Sequence, residues 1–103
     1  MSLFRLPDYE VLIHIRYNAF GKKLEQDILQ EMAAFNLDES AEYQGVKDYH
    51  WAFESWSEAT AAGERLRRYV DNPNLLVLRV KANYDESIET ISHKDLIGPK
   101  PVT

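Results

Sequence analysis

The strongest constraint on the fold is a stretch of alternating aromatic residues that runs directly into a helical pattern. Within residues 49–56, the side chains of Tyr49, Trp51 and Phe53 fall at every second position, as in a β-strand with one buried face. The segment that follows places apolar residues at helical spacing, up to Val70. The sequence therefore predicts a central strand over 49–56 that leads straight into an amphipathic helix.

Period-two alternation predicts further strands on both sides of this unit. Residues 9–17 and 75–82 each have one strongly apolar face, while 41–46 is a weaker candidate. A tight turn at 47–48 would join that weaker strand to the central one as a hairpin. Weak alternation over 87–92 predicts an additional strand at the edge of the sheet.

Helical spacing predicts a first helix before the hairpin, with apolar residues three or four positions apart. These residues are Phe20, Leu24, Ile28, Met32 and Phe35. Asn18 is a favourable N-cap for this helix, and Asn36 marks its expected end. Ser57 is the expected N-cap of the second helix, which Pro73 terminates.

The order strand, helix, strand, strand, helix, strand resembles the ferredoxin-like fold. This resemblance implies an α+β domain in which two helices cover one face of a four-stranded antiparallel sheet. We expect a single domain over residues 1–103, with its core in 9–82. Residues 83–103 would form a C-terminal extension, an edge strand followed by a loose tail.

In this arrangement, one side of each central strand faces the helices and forms the core. The expected core residues are Val11, Ile13, Ile15, Trp51, Phe53, Leu76, Leu78 and Val80. The opposite side would be left open and would mix apolar with charged residues. It would carry Glu10, Leu12, His14, Arg16, His50, Ala52, Glu54, Trp56, Leu75, Val77, Arg79 and Lys81.

Composition narrows the classes of function. Seventeen acidic residues against twelve basic ones give a formal charge of −5, which argues against binding nucleic acid through its phosphates. The chain has no cysteine, so disulfides and thiolate metal sites are excluded. The apolar runs are short and no secretory leader is evident, so we expect a cytoplasmic protein without membrane association. No cofactor is predicted.

Residues 51–59 resemble the third strand and second helix of an RNA-recognition motif. Aligned in this way, Trp51 and Phe53 fall on core positions, and Asp48 and His50 occupy the positions that should stack bases. Because such stacking requires aromatic platforms and a basic surface, the sequence predicts no RNA binding.

The first candidate for a functional site is on the open face and combines a set of catalytic residues with a set of ligand-binding residues. The histidines of two neighbouring strands, together with a nearby carboxylate, could move protons, and basic and aromatic residues could orient a ligand. Two histidines and a glutamate could also hold a divalent metal, but their spacing is not specific to one. The candidate catalytic residues are His14, His50 and Glu54, and the candidate ligand-binding residues are Arg16, Trp56 and Arg79. The competing interpretation is that the histidines are half-buried polar residues at a sheet or dimer surface. No metal site is predicted.

A second candidate is an anion site at the start of the first helix, where Gly21, Lys22 and Lys23 follow the first strand. Helix N-termini attract phosphates and carboxylates. Acylphosphatases use this part of the same fold, but their glycine-containing loop with its following arginine is absent here.

An open sheet face with apolar residues requires some cover. The pattern resembles the dimeric α+β barrels, in which two ferredoxin-like units pack sheet to sheet, and this resemblance implies a homodimer. We therefore expect a binding or regulatory module that self-associates and binds a small molecule or a protein. The alternative is a small cofactor-independent enzyme of the dimeric-barrel type that acts on an anionic or aromatic substrate. A monomer whose tail covers the sheet is the competing arrangement.

Overall fold

The structure is a computed structural model that describes residues 6–16, 21–70 and 76–92 of the chain. Their elements follow the order strand, helix, two strands, helix and two strands. These are β1 (Tyr9–Arg16), α1 (Gly21–Glu31), β2 (Asn36–Tyr43), β3 (Val46–Phe53), α2 (Trp56–Leu66), β4 (Leu76–Ala82) and β5 (Ile91–Ser92). A short 3-10 helix, Arg67–Tyr69, extends α2.

The five strands form one antiparallel sheet in the order β2-β3-β1-β4-β5. The predicted α+β class with two helices is therefore confirmed, and the arrangement is compatible with the ferredoxin-like class. The expectation of a four-stranded sheet is wrong, because β5 pairs with β4 and changes the order at that edge. The short β5 lies within the segment for which an additional edge strand was predicted.

One face of the sheet packs against both helices and forms the core. All eight expected core residues are buried, as the alternation predicted. They join Ile28 of α1, Met32 directly after that helix, and Ala59, Ala62 and Leu66 of α2 in one apolar cluster. Small residues on α2 allow this helix to approach the sheet closely. Burial of apolar surface in this cluster provides the main stabilisation of the fold.

The boundaries of the hairpin differ from the prediction. The turn lies at Gln44 and Gly45, which both have positive φ angles of 48° and 79°. Two residues with this conformation suit the right-handed twist of a tight hairpin, and glycine adopts it without steric cost. The predicted turn at 47–48 is wrong, and residues 37–40 belong to β2 although every residue of that strand is exposed.

Both helices also begin or end earlier than predicted. The side-chain oxygen of Ser55, rather than Ser57, caps α2 by accepting a hydrogen bond from the amide of Glu58 at 3.2 Å. Helix α1 ends at Glu31, and Asn36 begins β2. Phe35 keeps its core contact after the helix has ended, because its ring packs on Phe53 with centroids 5.3 Å apart. Apolar spacing alone therefore overestimated the length of α1. The predicted N-cap Asn18 lies outside the described residues.

Candidate functional site

The face of the sheet opposite the helices, here called the open face, is defined by the strand register. Its residues alternate with those of the core and pair across neighbouring strands. They are Glu10, Leu12, His14 and Arg16 of β1, Asn36, Glu39, Ala41 and Tyr43 of β2, Val46, Asp48, His50 and Ala52 of β3, and Val77, Arg79 and Lys81 of β4. Most are exposed or half-buried, so this face has little cover within the described part of the chain.

His14 lies in a line of three polar side chains on the open face. Its Nδ1 contacts Asp48, which is its direct partner in the register between β1 and β3. The hydroxyl of Tyr43 donates a hydrogen bond of 3.1 Å to the same carboxylate. This bond, followed by a small burial effect, raises the pKa of Tyr43. The imidazole is therefore oriented by a carboxylate, while its side chain stays 40% exposed.

His50 has a second carboxylate partner. Its Nδ1 lies 3.6 Å from Oε1 of Glu10. The other oxygen of Glu10 accepts a hydrogen bond of 3.0 Å from the side-chain amide of Asn83, which also donates to the carbonyl of Pro7. Glu10 is only 3% exposed, so the expectation that it lies on uncovered surface is wrong. The chain around Asn83 covers this end of the open face.

The two histidines share a face, but each turns toward its own carboxylate. His50 is paired with Leu12 in the register, which makes His14 and Glu10 its two diagonal neighbours on β1. It contacts Glu10, while His14 contacts Asp48. Within the described residues, no group of three histidine or carboxylate side chains is arranged to hold a metal ion. The arrangement suits hydrogen bonding and proton exchange at each imidazole separately.

Glu54 does not join the histidines. It follows the last residue of β3 and is exposed. It lies four positions after His50 along the chain, which corresponds to about 13 Å for an extended strand. The carboxylates that contact the histidines are instead Asp48 and Glu10. The sequence prediction missed Asp48 because it assigned this residue to a turn. Starting the strand at Val46, after the Gly45 turn signal, places Asp48 opposite His14.

Trp56 also lies elsewhere than predicted. It is the first residue of α2 and is partly buried against the core cluster. Its ring centroid lies 6.0 Å from that of Tyr9, whose side chain belongs to the covered side of β1. The expectation that Trp56 lies on the open face is wrong, because β3 ends at Phe53 and the alternation does not continue through the cap at Ser55.

The charges of the open face are separated laterally. On the β4 side, Arg79 and Lys81 are exposed and basic, and Arg16 ends the neighbouring strand. On the β2 side, Glu39 is exposed and Asp48 is half-buried, and both are acidic. Between them lie the half-buried apolar residues of the central strands. The face is therefore positive toward one edge, negative toward the other and partly apolar at its centre.

A buried polar cluster on the covered side was not predicted. The hydroxyl of Tyr49 donates a hydrogen bond to Glu25 of α1, and Nζ of Lys47 lies 2.9 Å from the same carboxylate. Burial and, to a smaller extent, the bond to Glu25 raise the pKa of Tyr49 to about 12. This cluster ties α1 to β3. The sequence did not indicate this role of Glu25, since a single buried carboxylate leaves no periodic signal.

A groove opens at the end of the sheet where β3 ends and β2 begins. Its volume is about 600 Å³, and its lining combines apolar side chains, Phe35 among them, with a larger polar surface. Carboxylates reach it from the segment before β1, from β2, from the β3–α2 connection and from α2, through Asp8, Asp38, Glu54 and Glu58. The register of β2 against β3 shifts between Leu37 and Glu39, so Asp38 is the extra residue of a β-bulge. Bulges commonly redirect a side chain in this way.

No family model, curated protein or solved structure matches this chain. None of the helices described is long and apolar enough to cross a membrane. Of the anion site predicted at the start of the first helix, Lys22 and Lys23 are exposed, and Nζ of Lys23 lies 3.4 Å from the Asp27 carboxylate. The residues that precede the helix, 17–20, lie outside the described part of the chain.

Proposed function

We propose that this protein is a small binding module that forms a homodimer through its open face. The observation that carries the proposal is the layout of that face, with half-buried apolar residues between a basic and an acidic edge. Partly exposed apolar surface between charged edges is typical of a protein interface. The charges at the two edges are complementary to each other, so a second copy of the same surface is a suitable partner.

The lateral separation of charge also favours one geometry for the dimer. A two-fold axis parallel to the strands places β2 of one copy over β4 of its partner, so that Glu39 faces Arg79 and Lys81. An axis perpendicular to the strands, within the interface, would instead bring like charges together. Like-charge contacts at an interface are costly. We therefore infer that the sheets pack with their acidic and basic edges exchanged.

The same arrangement supports a ferredoxin-like fold of the dimeric-barrel type. The first six elements follow the order βαββαβ, and both helices contribute to a single core on one side of the sheet. Strand β5 is then an addition at the β4 edge. In dimeric barrels the uncovered sheets face each other, as proposed here.

The proposal is tested by placing a charge in the apolar centre of the open face. Leu12→Asp should convert the dimer into a folded monomer, because the carboxylate would lose its hydration in the interface. Ala61→Asp, at an exposed position on α2, is the matched control and should leave the dimer intact. Sedimentation velocity over a range of concentrations measures both. A wild-type protein that is monomeric at every concentration would refute the proposal.

A second candidate function, a small acid–base enzyme, is favoured by the contact between His14 and Asp48. A carboxylate that holds Nδ1 of an imidazole leaves Nε2 as the nitrogen that exchanges protons, which is the usual geometry of a general base. Arg16, two residues further along the same strand, could attract an anionic substrate. In the proposed dimer this imidazole would lie between the two sheets, so a substrate would have to bind there.

The enzyme candidate makes a distinct prediction. Mixtures of small anionic and aromatic compounds should be incubated with the protein and analysed for turnover by mass spectrometry. Turnover that is lost in His14→Gln and strongly reduced in Asp48→Asn, with the fold intact by circular dichroism, would support catalysis. Turnover that both variants retain would eliminate His14 as the base.

A further inference from the structure

We propose that the dimer contains a shared proton-binding site at its two-fold axis, formed by His14 and Asp48 of both copies, so that the dimer becomes tighter as the pH falls. This inference rests on the proposed dimer and deepens it by naming what regulates the association. Three features of the open face support it, namely the position of this pair between the acidic and basic edges, its net charge and its exposure.

The strand order places this pair next to the axis. In the order β2-β3-β1-β4, the boundary between β3 and β1 lies midway between the acidic and the basic strand. The axis that exchanges those edges would therefore run between β3 and β1, and would lay β3 of one copy over β1 of the other. His14 and Asp48 are direct partners in the register and lie at the same height along the strands. Because rotation about an axis parallel to the strands preserves this height, Asp48 would face the partner's His14.

The net charge of the pair depends on the imidazole. Nδ1 of His14 contacts one oxygen of Asp48, and the hydroxyl of Tyr43 donates a hydrogen bond of 3.1 Å to the other oxygen. With a neutral imidazole the pair is negative, whereas with an imidazolium it is neutral. Two negative pairs that meet at the axis would lose water and repel each other, and such like-charge contacts are costly. Each proton bound by an imidazole removes one of these charges and therefore stabilises the dimer.

Exposure separates His14 from the other histidine of the open face. The side chains of His14 and Asp48 are 40% and 20% exposed, so both would lose water when the sheets meet. The carboxylate beside His50 belongs to Glu10, whose side chain is only 5% exposed in the single chain. His50 pairs with Leu12 in the register, so in the dimer it would face the partner's Leu12 and no new charge. Dimerisation therefore changes the surroundings of His14 more than those of His50.

The other charged and titratable groups around His14 do not reverse the sign of the effect. Within the described residues, those on its own strand and on the neighbouring strands are Arg16, Arg79 and His50, with Tyr43 beyond Asp48. Arg16 and Arg79 disfavour a further positive charge. In the dimer, however, the partner's Glu39 would face Arg79 and the partner's Asp48 would face His14. Association therefore adds negative charge close to the imidazole and favours its protonated form.

The test is sedimentation velocity of the wild type over a range of concentrations, from about pH 8 to about pH 6, the range in which histidine side chains usually titrate. A histidine that binds its proton more tightly in the dimer strengthens the dimer at low pH, and this contribution is lost as the pH rises. Uptake of one proton per dimer changes the dissociation constant about tenfold per pH unit. We therefore expect the wild-type dimer to be at least about tenfold tighter at the lower pH.

Two glutamine variants on the same face separate the histidines. His14→Gln keeps an amide that can donate to Asp48 but binds no proton, and it should reduce the change with pH to less than about threefold. His50→Gln is the matched control and should retain most of the change. Circular dichroism at each pH verifies that both variants are folded.

A third variant tests the carboxylate. Asp48→Asn removes the charge that favours the imidazolium, while His14 remains. Because an imidazolium without this partner is costly to bury, the dimer of the variant should no longer tighten as the pH falls. Tightening equal to that of the wild type would show that Asp48 plays no part in proton binding.

The same measurements distinguish failure of this inference from failure of the proposed dimer. A wild-type dimer whose dissociation constant does not change with pH would refute the proton site and leave the dimer intact, whereas a protein that is monomeric at every pH would refute both. A pH dependence that His14→Gln retains and His50→Gln loses would place the proton elsewhere on the open face. A pH dependence that disappears at high ionic strength would assign it to the net charge of −5 rather than to a contact at the axis.

Discussion

The two faces of the sheet are formed by the same strands but have different environments. On the covered face, Ile13 and its neighbours are almost completely buried against the two helices. On the open face, Leu12, His14 and Arg16 of the same strand range from half-buried to exposed. The covered face explains how the chain folds, because its apolar pattern is continuous. The open face contains charged side chains whose exposure means that they contribute little to folding.

The polar groups of the two faces differ in the same way. Each face has a tyrosine whose hydroxyl donates to a carboxylate, Tyr49 to Glu25 on the covered side and Tyr43 to Asp48 on the open side. The first pair is buried between α1 and β3, whereas Tyr43 is half exposed. The same type of hydrogen bond should therefore contribute to stability on the covered face and contribute much less on the open face.

The largest expected effect comes from two adjacent residues of β1. Ile13→Ala should lower the free energy of unfolding by about 2–5 kcal/mol, because it leaves a cavity in the core. Leu12→Ala removes a similar side chain from the open face and should cost less than about 1 kcal/mol in the monomer. Urea unfolding at low protein concentration measures both. Equal losses of unfolding free energy would show that the two side chains are equally buried, and would contradict the difference between the covered and the open face.

An intermediate effect is expected for the two tyrosines. Tyr49→Phe removes a hydrogen bond from the buried Glu25 carboxylate and should cost about 1–3 kcal/mol. Tyr43→Phe removes the corresponding bond on the exposed side and should cost less than about 0.5 kcal/mol. The same urea experiment applies. A cost for Tyr43→Phe as large as that for Tyr49→Phe would mean that the Asp48 pair is as structural as the Glu25 pair.

The buried tyrosine also predicts a dependence of stability on alkaline pH. The pKa of Tyr49 is raised from 10.0 to about 12, so the fold favours the protonated phenol. Its contribution to stability is complete below the ordinary pKa of tyrosine and is lost as the pH rises through about 12. Ultraviolet titration of the phenols should show that Tyr49→Phe removes the last of the six tyrosines to ionise. Persistence of that late transition in the variant would assign it to another residue.

The sequence predicted the covered face well and the open face poorly. The eight core residues were identified because burial on one side of a strand produces an alternation over many positions. The contact between His14 and Asp48 was missed because the central strand was predicted to begin at residue 49. The strand β3 begins three positions earlier, at Val46, and therefore includes Asp48. Glu54 and Trp56 were misplaced by the same shift, since they belong to the connection and the helix that follow β3.

Other features depended on tertiary contacts that have no periodic pattern. The strand β2 is exposed throughout, so no apolar alternation marked residues 37–40. The buried Glu25 and the groove are each assembled from elements that are distant in the sequence. Their positions follow from packing rather than from local propensity.

The central claim, that the open face joins two copies with acidic and basic edges exchanged, is tested most directly by mixing two charge variants. Arg79→Glu/Lys81→Glu makes the β4 side acidic, and Glu39→Lys makes the β2 side basic. Each variant alone would place like charges together and should form a weaker dimer than the wild type. Mixed in equal amounts, the two should form a heterodimer, because both edge contacts again join opposite charges.

Sedimentation velocity of each variant and of the mixture provides the measurement. Weakened self-association of both variants, with a dimer restored on mixing, is the predicted result. Unchanged dimerisation of the separate variants, or a mixture that associates no better than they do, would contradict the proposed interface.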